Sequence, residues 1–382
     1  MDPTALSTEM SGLALAREGG TTLLLPEFEP GQKGPARRQV LFYNPAMALS
    51  RDLTVALVKE EGRQQGRRLS VWDAHAATGV RGLRLLYETQ AVDRLLATDT
   101  QPAACLVARE NAQREGSGRM EVREHDARIP PGERFDWVDI DPFGTPAPYL
   151  STGIETTEEG GILAVTATDM AVLAGPETRT CETRYGAWPV RGYLAREGAL
   201  RVLLAALSRE ARAQGRRVHP VLSFISGYFV RVHVRLTSAS RGPGSEDPIG
   251  MVPYPGYHGP PLHQLHPAGP LWLGPIQDPG FVAKASGSLP TSLSPKAVQT
   301  LDLIQAESAV ERPFYHETGV LSKRLHLASP PSLDTIFAVL RGAGYLAEKT
   351  HAAPSGWRTS APLGALESLF RSGSVAAGGH LY

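Results

Sequence analysis

Four aspartates, Asp73, Asp99, Asp126 and Asp141, each end or closely follow an apolar run, at a spacing that places one carboxylate at the end of each of four successive strands. In an open α/β sheet, ligands bind in the crevice beyond the carboxyl ends of the strands. Asp73 opens the turn Asp73-Ala-His-Ala-Ala-Thr-Gly-Val-Arg-Gly82, whose small residues let a ligand approach the backbone. Asp99 is placed to accept both hydroxyls of a ribose, and Asp126 to accept an adenine amino group. The dinucleotide fingerprint Gly-x-Gly-x-x-Gly is missing, with only Gly79 and Gly82 present. The layout therefore fits S-adenosylmethionine, which has no pyrophosphate to cradle.

The fourth strand ends in Phe135-Asp-Trp-Val-Asp-Ile-Asp-Pro-Phe-Gly144. An acid-Pro-aromatic sequence at a strand end suits methylation of an exocyclic amine on a base. That amine is a poor nucleophile because its lone pair is delocalised into the ring. Asp141 can accept its N–H, favour positive charge on nitrogen and take the departing proton. The Pro142 carbonyl can accept the other N–H, and the Phe143 ring can stack on the base. A target inside folded RNA has to be flipped out to reach such a pocket. Asp139 shares a strand face with Asp141 by the period-two rule and is read as a structural hydrogen-bond acceptor.

These residues need strands at Leu69–Ala74, Arg94–Thr98, Met120–Glu124, Phe135–Ile140 and Gly160–Thr166, with helices at Leu83–Thr89, Gln101–Glu115 and Tyr149–Thr156 between them. A helix over Tyr193–Gln214 and strands over Pro220–Ser226 and Tyr228–Leu236 close the series. Strands alternating with helices at this spacing imply a doubly wound, Rossmann-like α/β sheet. Ser238–Pro270, dense in Gly, Pro, His and Ser, reads as a boundary or long loop. Helical spacing returns at Pro295–Ala309, Ser332–Gly342 and Pro362–Ser372. The expected division is a catalytic domain with an N-terminal extension over 1–240 and a smaller α+β C-terminal domain over 241–382.

Composition excludes several classes. The 382 residues carry 39 basic and 39 acidic side chains, so no histone-like arm or acidic tail is present. The longest apolar runs fall far short of the roughly 20 residues of a membrane-spanning helix, and the N-terminus lacks a signal-peptide profile. Two cysteines, Cys105 and Cys181, support neither a disulfide framework nor a four-cysteine zinc site, so a reduced, cytoplasmic compartment is expected. The neutral total hides a local excess: from Arg179 to Arg241 twelve arginines face only Glu182, Glu197 and Glu210, a net of +9. Arg179, Arg184, Arg191, Arg212, Arg216 and Arg217 are the candidates there for contact with an RNA backbone, with Tyr185, Trp188 and Tyr193 interleaved for stacking.

Several segments resemble one family closely: Leu41-Phe-Tyr-Asn-Pro-Ala-Met-Ala-Leu-Ser-Arg-Asp52, Asp73–Gly82, Asp139-Ile-Asp-Pro-Phe-Gly-Thr-Pro146 and Ala164-Val-Thr-Ala-Thr-Asp169. Further matches are Tyr228-Phe-Val-Arg-Val232, Gly269-Pro-Leu-Trp-Leu-Gly-Pro275, Arg312-Pro-Phe-Tyr315 and Gly356-Trp-Arg-Thr359. All look like the tRNA (guanine(26)-N2)-dimethyltransferase (Trm1) family, over roughly Arg17 to Pro362. The resemblance implies methyl transfer from S-adenosylmethionine to N2 of guanosine at tRNA position 26, once or twice, with activity on a neighbouring guanosine left open. It implies that Arg51, Arg81, Asp99, Asp126 and Ala127 contact the cofactor, with Asp73 in the same crevice. It also makes Asp141 the catalytic carboxylate and has Phe42 and Phe143 sandwich the flipped guanine. Arg51 and Arg81 would each pair with the cofactor's methionine carboxylate, for which a guanidinium offers a planar fork.

One departure from the family concerns metal. Some members carry a Cys-based zinc site before Gly-Pro-Leu-Trp. Here Met251–Pro267 holds only His258, His263 and His266, and no structural metal is expected. The partner expected is tRNA, with no membrane and no obligate protein partner. Two other readings of the same residues are an amino-methyltransferase acting on another RNA position or a DNA base, and a non-catalytic tRNA-binding protein.

Overall fold

The computed structural model describes residues 12–27, 41–114, 116, 118–239, 246–252, 267–326 and 329–371. A hairpin of β1 (Leu13–Glu18) and β2 (Thr21–Pro26) precedes helix α1 (Ala48–Gln65). There follow β3 (Leu69–Asp73), α2 (Val80–Glu88), β4 (Val92–Asp99), α3 (Pro102–Arg114), β5 (Met120–Glu124) and β6 (Phe135–Ile140). Helix α4 (Leu150–Thr156), β7 (Thr157–Ala167), α5 (Met170–Leu173), α6 (Thr178–Tyr185), α7 (Ala195–Ala213), β8 (Arg216–Ser226) and β9 (Phe229–Ser238) complete the central layer. Its seven strands run in the order β5-β4-β3-β6-β7-β9-β8. The first five are parallel, whereas β9 lies antiparallel between β7 and β8.

Both sheet faces are covered, which is why these strands read as nearly continuous apolar runs. Trp72, Val138, Leu163 and Val232 face one layer, built from α4 to α7. Val71, Trp137, Ile162 and Phe224 face the other, built from α1, α2 and two later helices. The neighbours Val71 and Trp72 thus serve opposite cores, as the pleat requires. Helix α1 is buried nearly all round, and even its Arg51, Asp52, Glu60 and Glu61 are covered. It ends at Gly66, which adopts the left-handed conformation at φ 64°.

The expected boundary at residue 240 moves. Strands β10 (Ile249–Val252) and β11 (Ala268–Trp272) and helices α8 (Pro279–Ser286) and α9 (Pro295–Ser308) follow it. Leu271 and Trp272 join the core on the α7 side, and Phe281, Val282, Leu301 and Ile304 join the core on the α1 side. The chain to about residue 310 is therefore packed as one unit. A separate core begins only with β12 (His316–Glu317), α10 (Thr318–Arg324), α11 (Leu333–Gly342), β13 (Ala347–Lys349), β14 (Gly356–Thr359) and α12 (Leu363–Arg371). Its three strands run in the order β12-β14-β13, so the α+β character expected of the C-terminal part holds for this smaller unit. The sequence-level boundary follows a composition change, but burial of apolar faces fixes where a unit ends.

Buried charges join the two units. Arg358 on β14 donates to Glu197 on α7 at 3.0 Å and to Glu307 on α9 at 2.8 Å. Burial works against both carboxylates, but the arginines around Glu197, and His351 with Arg358 around Glu307, hold each down at about 2.

Candidate active site

The parallel strands bring their carboxyl ends to one edge. Asp73 on β3 is in register with Asp139 on β6, and Asp141 lies two residues beyond Asp139. The turn that follows is held in shape at Gly144, whose φ of 76° suits a residue without a side chain. Its N–H donates to Thr168 Oγ1 at 2.8 Å, and the Thr168 N–H donates back to the Gly144 carbonyl at 2.9 Å. The loop after β6 is thereby pinned to the loop after β7, and Phe143 is left 72% exposed at the mouth.

Two arginines share two of these three carboxylates, Asp139 and Asp141. Arg231 on β9 pairs across with Thr166 on β7, donates to its Oγ1 at 2.5 Å, and reaches past it to Asp139 Oδ2 at 2.5 Å. Its Nε donates to His233 Nε2 at 3.2 Å, so His233 holds its proton on Nδ1 and gives it to the Leu222 carbonyl at 2.8 Å. Burial, with the neighbouring Arg231 charge, pushes His233 down to about 3 and keeps it neutral. Arg81 on α2 donates to Asp141 Oδ2, lies 3.5 Å from Asp139 Oδ1, and donates to Thr54 Oγ1 at 3.1 Å. Burial disfavours the charge on Asp139, but Arg231 and Arg81 outweigh it and hold the carboxyl below its ordinary range. Asp139 thus has the structural acceptor role expected of it.

Asp73 is different. It is 1% exposed, and neither carboxylate oxygen has a hydrogen-bond partner among the described residues. Burial pushes it up to about 7; Arg81 opposes the rise, and the charges of Asp139 and Asp141 add to it. A buried carboxylate without a donor is costly unless something supplies one. An ammonium such as that of an amino-acid cofactor meets that need. Asp99, at the end of β4, accepts the Ala77 and Gln101 N–H groups at 3.0 and 2.9 Å, which leaves lone pairs for ribose hydroxyls. Asp126 accepts the Arg128 N–H at 2.9 Å and pairs with its guanidinium; these bonds hold Asp126 at about 2, and Ala127 beside it is buried. The residues present fit S-adenosylmethionine.

Some expectations change. Arg81 and Arg51 are both expected as partners of the cofactor carboxylate. Arg81 instead bridges Asp139 and Asp141. Arg51 gives its Nε and Nη2 to Glu18 at 2.6 and 2.5 Å, and Nη1 has no partner among the described residues. Phe42 and Phe143 do meet, but edge to face, with ring centroids 4.3 Å apart and planes at 88°. A base between parallel rings needs a gap of roughly 7 Å, two carbon contact distances, so the sandwich is not formed in this state.

The arginine-rich segment is corrected more strongly. Arg201 and Arg231 are fully buried and add nothing to surface charge. Arg212, Arg216 and Arg217 sit where α7 runs into β8, at the end of the sheet opposite Asp141. Arg216 is only 11% exposed and donates to the Ile154, Thr157 and Glu158 carbonyls, while Arg217 and Arg212 turn to Asp247. Arg179, Arg184 and Arg191 are exposed just beyond β7, at the same end as the crevice. Arg184 lies 3.4 Å from Asp169, and Arg191 donates to Thr178 at 2.8 Å. The sequence reading takes these arginines as one basic segment, whereas helix α7 carries the chain across the sheet and leaves Arg212, Arg216 and Arg217 at the far end. His258, His263 and His266 lie outside the described residues.

Sequence reasoning gives no individual role to Arg231, Thr54, His75 or Tyr228. Arg231 carries a signal: a charged residue between Val230 and Val232 in a strand buried on both faces must have a buried partner. His75 Nδ1 accepts the Asp141 N–H at 3.3 Å, and burial lowers its pKa. Tyr228, 43% exposed in the β8–β9 turn, accepts the Asn44 side-chain N–H.

A seven-stranded sheet with one antiparallel strand inserted next to the last, and acidic residues at its carboxyl ends, defines the S-adenosylmethionine-dependent methyltransferases. Within that class, the profile of the N2,N2-dimethylguanosine tRNA methyltransferase family matches residues 26–252 and 261–371, and the chain belongs to this family. It is 31% identical over 390 residues to the tRNA (guanine(26)-N(2))-dimethyltransferase of Thermococcus kodakarensis, covering 94% of this chain and 99% of that one. The corresponding protein of Pyrobaculum aerophilum is 31% identical over 370 residues, covering 95% and 97%. The structure of Trm1 from Pyrococcus horikoshii in complex with S-adenosyl-L-methionine superimposes with a TM-score of 0.81 at 28% identity, covering 94% of this chain and 99% of that chain. Among the described residues, no helix is long and apolar enough to cross a membrane.

Proposed function

We propose that this tRNA methyltransferase acts on N2 of the guanosine at position 26, the position in the names of its relatives, with Asp141 as the carboxylate that receives the proton. The observation that carries this reading is Asp141 itself, at the lip of the crevice between Arg81 and the exposed ring of Phe143. The cofactor, when bound, supplies an electrophilic methyl group and a neutral thioether as leaving group. Asp141 Oδ accepts one N–H of the guanine amine, the Pro142 carbonyl accepts the other, and both orient the nitrogen lone pair. As nitrogen gains its bond to carbon, Asp141 stabilises the developing charge and takes the proton.

The remaining residues position these groups. Arg81 fixes the Asp141 carboxyl in place, Asp139 anchors Arg81 from below, and Arg231 pairs with Asp139. Asp73 takes the cofactor's ammonium, Arg51 its carboxylate through the open Nη1, and Asp99 its ribose, with Asp126 and Ala127 at the adenine. Phe42 and Phe143 part to admit the base, each face then worth roughly 1–3 kcal/mol. Arg179, Arg184 and Arg191 contact the tRNA backbone beside the crevice, in the cytoplasm. Incubation with S-adenosylmethionine and unmodified tRNA transcripts, followed by nucleoside mass spectrometry, tests this. N2-methylated guanosine at position 26 supports the proposal, and methyladenosine refutes it.

A further inference from the structure

Glu18 lies on the N-terminal hairpin, away from every motif that marks the crevice, yet it is 7% exposed and surrounded by donors. Arg51 gives it two parallel bonds, Nε to Oε1 at 2.6 Å and Nη2 to Oε2 at 2.5 Å. The Tyr43 hydroxyl donates to Oε2 at 2.7 Å, and Arg84 Nη1 to Oε1 at 3.0 Å. The Arg51 guanidinium is also 5.3 Å from the centre of the Tyr43 ring. Burial disfavours the Glu18 charge, but Arg51, Tyr43 and Arg84 together hold the carboxyl down at about 2. A fork-to-fork pair fixes the plane of a guanidinium, and here it uses one edge of Arg51 and leaves Nη1 open.

Thr54, one turn along α1 from Arg51, binds Arg81 and Arg231, so the Glu18 pair and the Asp139–Asp141 cluster attach to the same helix face. Tyr43 follows Phe42 directly, and Phe42 touches Phe143. We propose that Glu18 is a positioning residue: by holding the Nε–Nη2 edge of Arg51 it aims Nη1 at the cofactor carboxylate, and through Tyr43 it ties that grip to the segment carrying Phe42. This rests on the reading of Arg51 as the partner of that carboxylate.

The test compares two ligands by calorimetry on the full chain: S-adenosylhomocysteine, which keeps the amino-acid end, and 5′-methylthioadenosine, which lacks it. Losing one well-aimed charge-assisted bond costs about tenfold in affinity. Glu18→Gln is expected to weaken S-adenosylhomocysteine by about tenfold or more while methylthioadenosine stays within about twofold. Equal weakening of both, or of neither, overturns the proposal, since a merely structural residue cannot distinguish them. Glu18→Asp keeps the charge that Arg84 needs but draws it back by one methylene, and the same selective loss is expected should Glu18→Gln not fold. Arg51→Gln separates the two layers. If it discriminates between the ligands while the Glu18 variants do not, only the Glu18 proposal fails; if it does not discriminate, the Arg51 reading and this proposal fall together.

Discussion

Arg231 and Asp139, 92 residues apart in the chain, meet through a 2.5 Å contact between Nη2 and Oδ2, both side chains fully buried beneath the reacting edge of the sheet. The pair spans β7, so it depends on β9 lying beside β7 on the side away from β6. Breaking one partner of a buried ion pair strands the other, at about 3–5 kcal/mol. Arg231→Met is therefore expected to lower the melting temperature strongly, and Asp139→Asn with Arg231→Met to recover part of the loss. A double variant no more stable than Arg231→Met alone contradicts the pairing. Both measurements need only thermal unfolding.

Asp73 makes stability and cofactor binding respond to pH in opposite directions. Burial raises its folded pKa to about 7 from an ordinary 3.8, so the folded chain keeps a proton that the unfolded chain gives up. Without cofactor, this group's effect is to make stability fall as pH rises from about 4 to about 7. An ammonium binds the ionised form, so affinity for S-adenosylhomocysteine is expected to rise as pH climbs through 7. Asp73→Asn is expected to flatten both dependences, read by melting curves and calorimetry at several pH values.

The position of the arginines predicts which of them grip RNA. Glu substitutions at Arg179, Arg184 and Arg191 are expected to weaken tRNA binding and to reduce the slope of log affinity against log salt by about one for each phosphate no longer neutralised. The same change at Arg212 and Arg217, at the far end of the sheet, is expected to leave that slope unchanged. A salt titration of tRNA binding checks both, and a weakening confined to the second pair contradicts the assignment.

The strands are legible where apolar runs are bounded by charge. Met120–Glu124 and Phe135–Ile140 have the same bounds in the sequence pattern and in the structure. The Asp-Pro-Phe-Gly turn and the four strand-end aspartates are legible for the same reason, since the crevice follows from topology. Helix α1 is not, because a helix covered on all sides has no polar face to give it a period. The partners of the charges are not legible either. Glu18–Arg51, Arg81–Asp141 and Arg231–Asp139 join residues 33, 60 and 92 positions apart, and nothing local to either residue specifies the other. The net of +9 misleads because charge along a chain is blind to burial, and Arg201 and Arg231 hold theirs inside the protein.

The most direct test of the account is methyl transfer to an unmodified tRNA transcript by the unaltered chain and by Asp141→Asn, with the modified position mapped. Asn keeps the size of the side chain and loses the proton acceptor, and general-base contributions are typically about 10²–10⁴-fold. The account predicts N2-methylated guanosine at position 26 from the unaltered chain, and for Asp141→Asn a rate lower by about 10² or more at saturating cofactor. Full activity in Asp141→Asn, or a methyl group on any other base, would contradict it.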